Sequence, residues 1–231
     1  MSQSSFTTTA NAAGLIDQRL SQPTHLWTVV TPMTPTYEQR TNRSDTGGST
    51  GPVGAPPQRL ALPSDAARIA ALVRASVLDL FARFYDEQQT ASAAVHIAHL
   101  DMTLIEDGTY FVHEAGGEIV ACGGWSRRDK LYTGSGDADG DARLLDPRTE
   151  PARVRAMFVR ADWTRRGLGR AILESCERAA RAEGFQTLAL MATLPGEPLY
   201  RAFGFRETER TMLTMPDGVD IEGVAMERPI S

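Results

Sequence analysis

Residues 153–180 read RVRAMFVRADWTRRGLGRAILESCERAA, and this pattern predicts a strand, a tight turn and a helix in succession. Val154 and the three residues Met157, Phe158 and Val159 are apolar and favour a short β-strand. Two glycines follow, two residues apart, and the apolar residues from there to residue 176 recur at helical spacing. The turn is therefore expected at the start of a helix.

A helix that begins in a glycine-bearing turn favours the binding of an anion. Its first N–H groups have no intrahelical partner, and the helix dipole places partial positive charge there. Gly167 and Gly169, on either side of Leu168, let a ligand approach the main chain. Three arginines surround the turn with positive charge: Arg165, Arg166 and Arg170.

Two common phosphate-binding motifs do not fit this turn. The dinucleotide fingerprint would need glycine or alanine where the chain has Ile172. The P-loop would need a Gly-Lys-Ser/Thr sequence, which the chain does not contain. The turn is therefore expected to bind an anion in another way.

The composition is that of a globular protein. Its 231 residues carry a net charge of −5, so a nucleic-acid binder that depends on a basic surface is not expected. No apolar run approaches the roughly 20 residues of a membrane-spanning helix, and the N-terminus lacks a secretory signal, so a cytoplasmic protein is expected. Cys122 and Cys176 lack a C-x-x-C spacing and are expected to be reduced and buried.

The chain is expected to have two parts. Residues 1–57 are rich in Ser, Thr, Pro and Gly, which predicts a disordered extension and linker, and residues 58–231 form the folded domain. The polar segment 127–151 predicts a flexible acidic loop, a candidate flap over a binding site. No metal site is expected, because His96 and His99 share a helix face without a third ligand.

Within the folded part, strands and helices alternate as in a mixed α/β domain. Strands are predicted at 59–62, 110–114, 118–125, 153–159, 187–192, 207–214 and 221–226. Helices are predicted after residue 65, at 86–100, from residue 168 onward and at 198–203. Ser64 or Asp65 can cap the first of these helices. In the last helix, Pro198 suits the first turn and Gly204 the left-handed end. Paired glycines at Gly123 and Gly124 indicate a bulge or a close backbone approach.

Two motifs within this order resemble those of the GNAT superfamily, the Gcn5-related N-acetyltransferases. The residues TRRGLG at 164–169 resemble the family's R/Q-x-x-G-x-G/A motif, with Thr164 where Gln or Arg is usual. The residues LYRAFGF at 199–205 resemble its late L-Y-x-x-x-G-F motif. The resemblance covers residue 58 to the C-terminus and implies a mixed β-sheet flanked by helices.

This resemblance implies a cofactor and a set of site residues. Acetyl-CoA would lie between the two central parallel strands, with its pyrophosphate on the glycine turn and its arm along Met157, Phe158 and Val159. An N–H group there would polarise the thioester carbonyl. Tyr200 occupies the family's general-acid position, whereas Arg153 stands where some members have a glutamate base. A water chain is therefore an alternative route for the acceptor's proton.

The acceptor side depends on two arginines of the central strand. Arg153 and Arg155 alternate onto one face, where charge is costly unless it is paired. They either pair with structural carboxylates such as Glu114 or line the acceptor cleft and bind an anionic group. Trp125, near the end of its strand, is a further candidate for substrate binding.

Three functions remain open from the sequence. The first is transfer of an acetyl group to a small amine, and the second is a non-catalytic CoA-binding sensor. The third, a hydrolase or cysteine acyltransferase, has little support because the chain contains no G-x-S-x-G motif. A homodimer is left open beside a monomer.

Overall fold

The computed structural model describes residues 55–130 and 143–230. The predicted disordered extension up to residue 54 lies outside these residues. The centre of the predicted acidic loop, residues 131–142, also lies outside them. All helices, strands and contacts named below lie within these two ranges.

Seven strands form one mixed sheet in the order β1-β2-β3-β4-β5-β7-β6. The strands are β1 Gln58–Leu60, β2 Tyr110–Ala115, β3 Glu118–Ser126, β4 Ala152–Val159, β5 Thr187–Thr193, β6 Arg206–Thr214 and β7 Asp220–Pro229. The α-helices are α1 Ala66–Phe81, α2 Glu87–His96, α3 Met102–Glu106, α4 Leu168–Ala182 and α5 Glu197–Phe203. The mixed α/β fold predicted from the sequence is confirmed, while the five-residue helix α3 was not predicted.

The one parallel contact within this sheet lies between β4 and β5. These strands pair at two positions, Ala152 with Leu188 and Arg153 with Ala189. No later residue of either described strand pairs with the other, so the strands separate toward their C-terminal ends. This separation opens a cleft in the middle of the sheet.

A β-bulge lies in β4 beside this cleft. Cys122 of β3 is opposite Phe158, and Gly124 is opposite Arg155, so β4 carries one extra residue. Ala156 takes up the extra length with a φ of 53°, a left-handed conformation that alanine adopts rarely. The bulge therefore redirects the backbone of β4 where it borders the cleft.

Of the paired glycines of β3, Gly123 makes room for this bulge and Gly124 for the backbone at the start of β2. A Cβ atom on Gly123 would lie 2.2 Å from Sδ of Met157, and one on Gly124 would lie 2.5 Å from the carbonyl oxygen of Thr109. The expected close backbone approach is confirmed at both glycines. The bulge itself lies in the partner strand.

Buried clusters on the sheet hold the helices in place. The apolar residues predicted to form one face of α4 are all buried, in one cluster with residues of β3, β4 and β5: Leu168, Ile172, Leu173 and Cys176. Helix α1 packs through Ile69 and Val73 against a second cluster that includes residues of β2 and β3. Because α4 is fixed by this packing, its N-terminus is held at the edge of the cleft.

The start of α1 differs from the expected helix cap. A three-residue 3₁₀ turn, Pro63–Asp65, precedes the helix. The carboxylate of Asp65 does not cap α1, since it accepts hydrogen bonds from the Leu62 N–H group at 2.8 Å and from Arg59 at 2.6 Å. Asp65 thus joins β1 to α1.

Candidate active site

Two cavities meet in the cleft between β4 and β5. The larger, of about 480 Å³, extends from the cleft to the turn before α4 and is called the groove below. The smaller, of about 90 Å³, lies between β4, β5 and the β6–β7 hairpin and is called the inner cavity. Four residues line both cavities: Met157, Phe158, Thr193 and Tyr200. A molecule in the groove can therefore contact one in the inner cavity.

The turn before α4 has the geometry of an anion-binding nest. Arg165 and Gly167 have φ values of 62° and 81°, whereas Arg166 between them is not left-handed. Such alternation directs successive N–H groups toward one point. Within the described residues, the N–H groups of these three residues form no hydrogen bond, and α4 begins at Leu168. The turn thus presents free donors at the positive end of a helix.

Positive charge surrounds these donors. Arg165 and Arg170 line the groove, and Arg170 also forms an ion pair with Glu174 at 3.1 Å. The guanidinium of Arg166 stacks on the ring of Trp163 at 4.4 Å from its centroid. Neither Arg165 nor Arg166 forms an ion pair with another described residue. Their charge is therefore available to an anionic ligand.

The two glycines of the turn serve different purposes. A Cβ atom on Gly167 would meet nothing within 4 Å, so its left-handed φ is what requires glycine. A Cβ atom on Gly169 would lie 2.8 Å from Cδ2 of Leu199, so this glycine lets α4 approach α5 closely. The expectation that both glycines keep the main chain clear for a ligand is therefore refined, because Gly169 also has a packing role.

The backbone of β4 borders the groove. Met157, Phe158 and Val159 all line it, as expected, and none of them pairs with β5. The carbonyl oxygen of Val159 already accepts a hydrogen bond from the Ser76 hydroxyl at 3.0 Å. The peptide groups of the bulge region are therefore the main candidates for contact with a ligand.

Tyr200 lies where the two cavities join. Helix α5 holds it, with Pro198 in the first turn and Gly204 in a left-handed conformation at the end, as predicted. Its ring packs edge-on against Phe205 at 5.9 Å, and 8% of the residue is exposed. No other described residue forms a hydrogen bond with its hydroxyl group. Burial raises the pKa of Tyr200 well above its ordinary value, so the hydroxyl remains protonated at neutral pH.

Both arginines of β4 are paired. Nη1 of Arg155 lies 2.8 Å from Oδ2 of Asp101, and both side chains are almost completely buried. Burial by itself raises the pKa of the Asp101 carboxyl, but the charges of Arg155 and Lys130 outweigh this effect and hold it below its usual value. Nη2 of Arg153 lies 3.1 Å from Oδ1 of Asp129. Of these two arginines, Arg155 lines the inner cavity and Arg153 lines neither cavity.

Pairing of the β4 arginines with carboxylates, one of the two alternatives from the sequence, is observed, but neither Glu114 nor Trp125 lies where it was expected. Glu114 does not pair with the arginines of β4, because it forms ion pairs with Arg59 and Arg68. Trp125 is 1% exposed and packs in the core, with its ring edge-on to Phe185 at 5.8 Å. Trp125 is therefore a core residue and lines neither the groove nor the inner cavity.

Sequence reasoning missed most of the inner cavity. Its apolar lining comes from four separate elements and the segments next to them: Ile97, Met191, Leu213, Met215 and Ile221. The alternating pattern of β6 and β7 predicted the strands. It did not show that one face of the hairpin closes a cavity, because that depends on how the hairpin twists against α2.

Other chemistries find little support among residues 55–130 and 143–230. Both cysteines are fully buried, and burial raises the pKa of the Cys122 thiol to about 12, which disfavours a nucleophilic thiolate. His96 lies 3.3 Å from Asp217, and no three metal-ligating side chains form a group in this part of the chain. None of the helices described is long and apolar enough to span a membrane.

Comparison with known proteins supports the same assignment of the fold. The sequence profile of the acetyltransferase (GNAT) family matches residues 74–205. A GCN5-related N-acetyltransferase from Rhodopseudomonas palustris is similar in structure, with a TM-score of 0.58 and 21% identity over 76% of this chain and 96% of its own. The sequence matches no curated protein.

Two further structures of similar fold contain a ligand. PaiA N-acetyltransferase from Thermoplasma acidophilum, in complex with coenzyme A, has a TM-score of 0.53 and 15% identity over 75% of this chain and 98% of its own. The acetyltransferase YncA from Salmonella typhimurium, with its cofactor acetyl-CoA, has a TM-score of 0.50 and 18% identity over 76% of this chain and 94% of its own. At these identities the similarity establishes the fold.

Proposed function

Because the chain belongs to the acetyltransferase (GNAT) family, we propose that it transfers the acetyl group of acetyl-CoA to the amine of a small molecule. The observation that carries the proposal is the junction of the groove and the inner cavity at Met157, Phe158, Thr193 and Tyr200. Two substrates, one in each cavity, would have their reactive groups next to each other at this junction.

The residues of the groove fit acetyl-CoA. The unpaired N–H groups of the turn, together with Arg165, Arg166 and Arg170, suit a pyrophosphate. The unpaired edge of β4 suits an extended arm that carries amide groups. Acetyl-CoA supplies an acetyl group activated as a thioester. The related proteins that hold CoA or acetyl-CoA support this choice of co-substrate.

The bulge in β4 supplies donors for the carbonyl oxygen. Ala156 and Met157 have no partner in register on β3, so their peptide groups are available to the cleft. The Tyr110 hydroxyl donates a hydrogen bond to the Ala156 carbonyl at 2.8 Å, which fixes the orientation of this peptide. Fixed N–H donors stabilise the negative charge that develops on a carbonyl oxygen during attack.

Tyr200 is assigned the role of general acid. Its hydroxyl lies at the junction and keeps its proton at neutral pH, because burial raises its pKa. A protonated donor at this place can protonate the leaving thiolate. Its retention favours a catalytic enzyme over a sensor that only binds CoA.

No carboxylate in the described lining is free to act as a base. Glu222 lines the inner cavity, but its Oε1 atom lies 2.8 Å from Nη1 of Arg210. Asp101 is occupied by Arg155. We therefore assign removal of the acceptor's proton to water rather than to a side chain.

The test is acceptor-dependent release of CoA. Purified protein is incubated with acetyl-CoA and a library of amines, the free thiol is measured, and acetylated products are identified by mass spectrometry. We expect release to depend on both the amine and Tyr200. Tight binding of CoA in calorimetry with no turnover of any amine would contradict the proposal and identify a sensor.

A further inference from the structure

The inner cavity has an apolar lining, and this bears on the acceptor. Apolar residues form most of its lining, among them Ile97, Met157, Met191, Leu213, Met215 and Ile221. Three of them are methionines, whose flexible thioethers adapt to the shape of an alkyl group. Such a lining contributes hydrophobic contacts and few directed hydrogen bonds. It therefore suits an acceptor whose body is a hydrocarbon.

The volume of the inner cavity limits the size of that body. A cavity of about 150 Å³ lined by Leu, Ile and Phe accommodates benzene. The inner cavity measures about 90 Å³, so by proportion it takes a body of about four carbon atoms. A short alkyl chain fits this space, whereas an aromatic ring or a sugar does not.

The charges next to the cavity oppose a second charged group on the acceptor. The charge of Arg155 is already balanced by Asp101 at 2.8 Å, so this pair has no net charge with which to balance a second charged group on the acceptor. An acceptor carboxylate would have to share one guanidinium with the buried Asp101 carboxylate, which leaves an excess of negative charge. Glu222 is likewise held by Arg210 at 2.8 Å. A group without a second charge is therefore favoured over a diamine or an amino acid.

The same surroundings favour the reactive form of the amine. An apolar cavity disfavours an ammonium ion, because the ion loses its hydration without gaining a partner. It therefore selects the neutral amine, which for a pKa near 10 is about 0.1% of the total at pH 7. Because the amine would bind already deprotonated, no carboxylate of the lining is needed to remove a proton from it before attack.

We infer that the acceptor is a short aliphatic primary monoamine of about three to five carbon atoms, bound in the inner cavity as the neutral amine. This inference rests on the proposed acetyltransferase function and specifies its substrate class. The chain length follows from the cavity volume. The lack of a second ionisable group follows from the ion pairs that Arg155 and Glu222 already form with Asp101 and Arg210.

Amines of matched length test the charge requirement. We expect kcat/KM for butylamine to exceed that for 1,4-diaminobutane and for 4-aminobutanoic acid by about 100-fold, because each of these adds one unpaired charge to the same chain. Equal or higher kcat/KM for the diamine or the amino acid would overturn the inference while leaving the acetyltransferase function intact. Absence of turnover with every amine, despite binding of acetyl-CoA, would overturn the function itself.

Enlarging the cavity tests its role in selecting chain length. Met215→Ala removes part of the lining, and we expect the ratio of kcat/KM for hexylamine to that for butylamine to rise about tenfold. Leu213→Ala serves as a second enlarging variant if Met215→Ala does not fold. Met212→Ala is the control, because Met212 is 54% exposed and does not line the cavity. An unchanged ratio in a folded enlarging variant would show that acceptors bind elsewhere.

The pH dependence tests the selection of the neutral amine. We expect kcat/KM to rise about tenfold per pH unit below the pKa of the acceptor. With an ether-substituted amine of similar length and lower pKa, this rise should end at a correspondingly lower pH. A rise that ends at one fixed pH for both amines would identify an enzyme group as the base and overturn the inference.

Discussion

Replacing Tyr200 by phenylalanine separates catalysis from folding. The substitution removes one oxygen atom and keeps the ring, which packs edge-on against Phe205. Since no other described residue forms a hydrogen bond with that hydroxyl, its loss leaves no partner unsatisfied. We therefore expect the free energy of unfolding to change by less than about 1 kcal/mol.

The expected effect of this substitution on the rate is much larger. Loss of a positioned general acid lowers the rate by about 10²- to 10⁴-fold. A thiol with a pKa near 8.5 leaves fairly well without help, so we expect the lower end, about 100-fold. This corresponds to about 2.7 kcal/mol of barrier and should appear in kcat rather than in the affinity for acetyl-CoA.

A single-turnover assay with a good acceptor measures the chemical step, and thermal unfolding measures stability. Tyr85→Phe is the matched control, because Tyr85 is 6% exposed but its hydroxyl donates to the Glu222 carbonyl and accepts from the Leu194 N–H group, both at 2.8 Å. We expect that variant to lose about 1–3 kcal/mol of stability and to keep kcat within about threefold. A chemical step within about threefold of wild type in Tyr200→Phe would refute the assignment.

Four further predictions follow from the geometry. A chain without residues 1–54 should unfold cooperatively and bind CoA in calorimetry, because the described core clusters draw on residues from 61 onward. Gly169→Val should weaken CoA binding at least about tenfold, and Gly169→Ala should do so less, because even a Cβ atom there lies 2.8 Å from a side-chain carbon of α5. Tyr110→Phe should lower kcat about tenfold with little change in the Kd for CoA, because it frees the bulge peptide. Asp101→Asn should cost about 3 kcal/mol in denaturant unfolding at neutral pH, since it removes the carboxylate that balances the charge of a buried guanidinium. Because the pKa of Asp101 is lowered in the folded protein, the difference from wild type should shrink as the pH falls through that pKa.

Local signals predicted the parts of the site that depend on neighbouring residues. The spacing of Leu168, Ile172 and Cys176 predicted the buried face of α4, and the structure confirms it. Pro198 and Gly204 likewise predicted where α5 begins and ends. Glycine, proline and helical periodicity act over a few residues, so the sequence alone displays their consequences.

Ion-pair partners could not be predicted in this way. One alternative from the sequence, that Arg155 pairs with a structural carboxylate, is correct, but the partner is Asp101, from the segment just before α3, and not Glu114. That helix has five residues, too few to show a periodic pattern, so its position was not foreseen. The partner of a buried charge depends on which loops pack together, and a local sequence pattern does not predict this packing.

The paired glycines of β3 illustrate an intermediate case. Gly123 and Gly124 signalled that something comes close to the strand, and this is correct. The two glycines do not predict which residue comes close, because the lack of a side chain indicates space and not which atoms fill it. The occupant at Gly123 is Met157 of the β4 bulge.

The two residue pairs between β4 and β5 also have a mechanical consequence. Within the described residues, the main chains of the half-sheets β1–β4 and β5–β7 pair with each other at these two positions alone. Buried side chains beneath α4, and a cluster between α1 and the β6–β7 hairpin, also hold the two half-sheets together. A ligand arm that forms hydrogen bonds along the open edge of β4 would act as a partial extra strand. Occupancy at 100 times Kd adds about 2.7 kcal/mol to the free energy of unfolding. We expect that gain to appear as slower amide exchange on both sides of the seam, so that the co-substrate stiffens the sheet as well as taking part in the reaction.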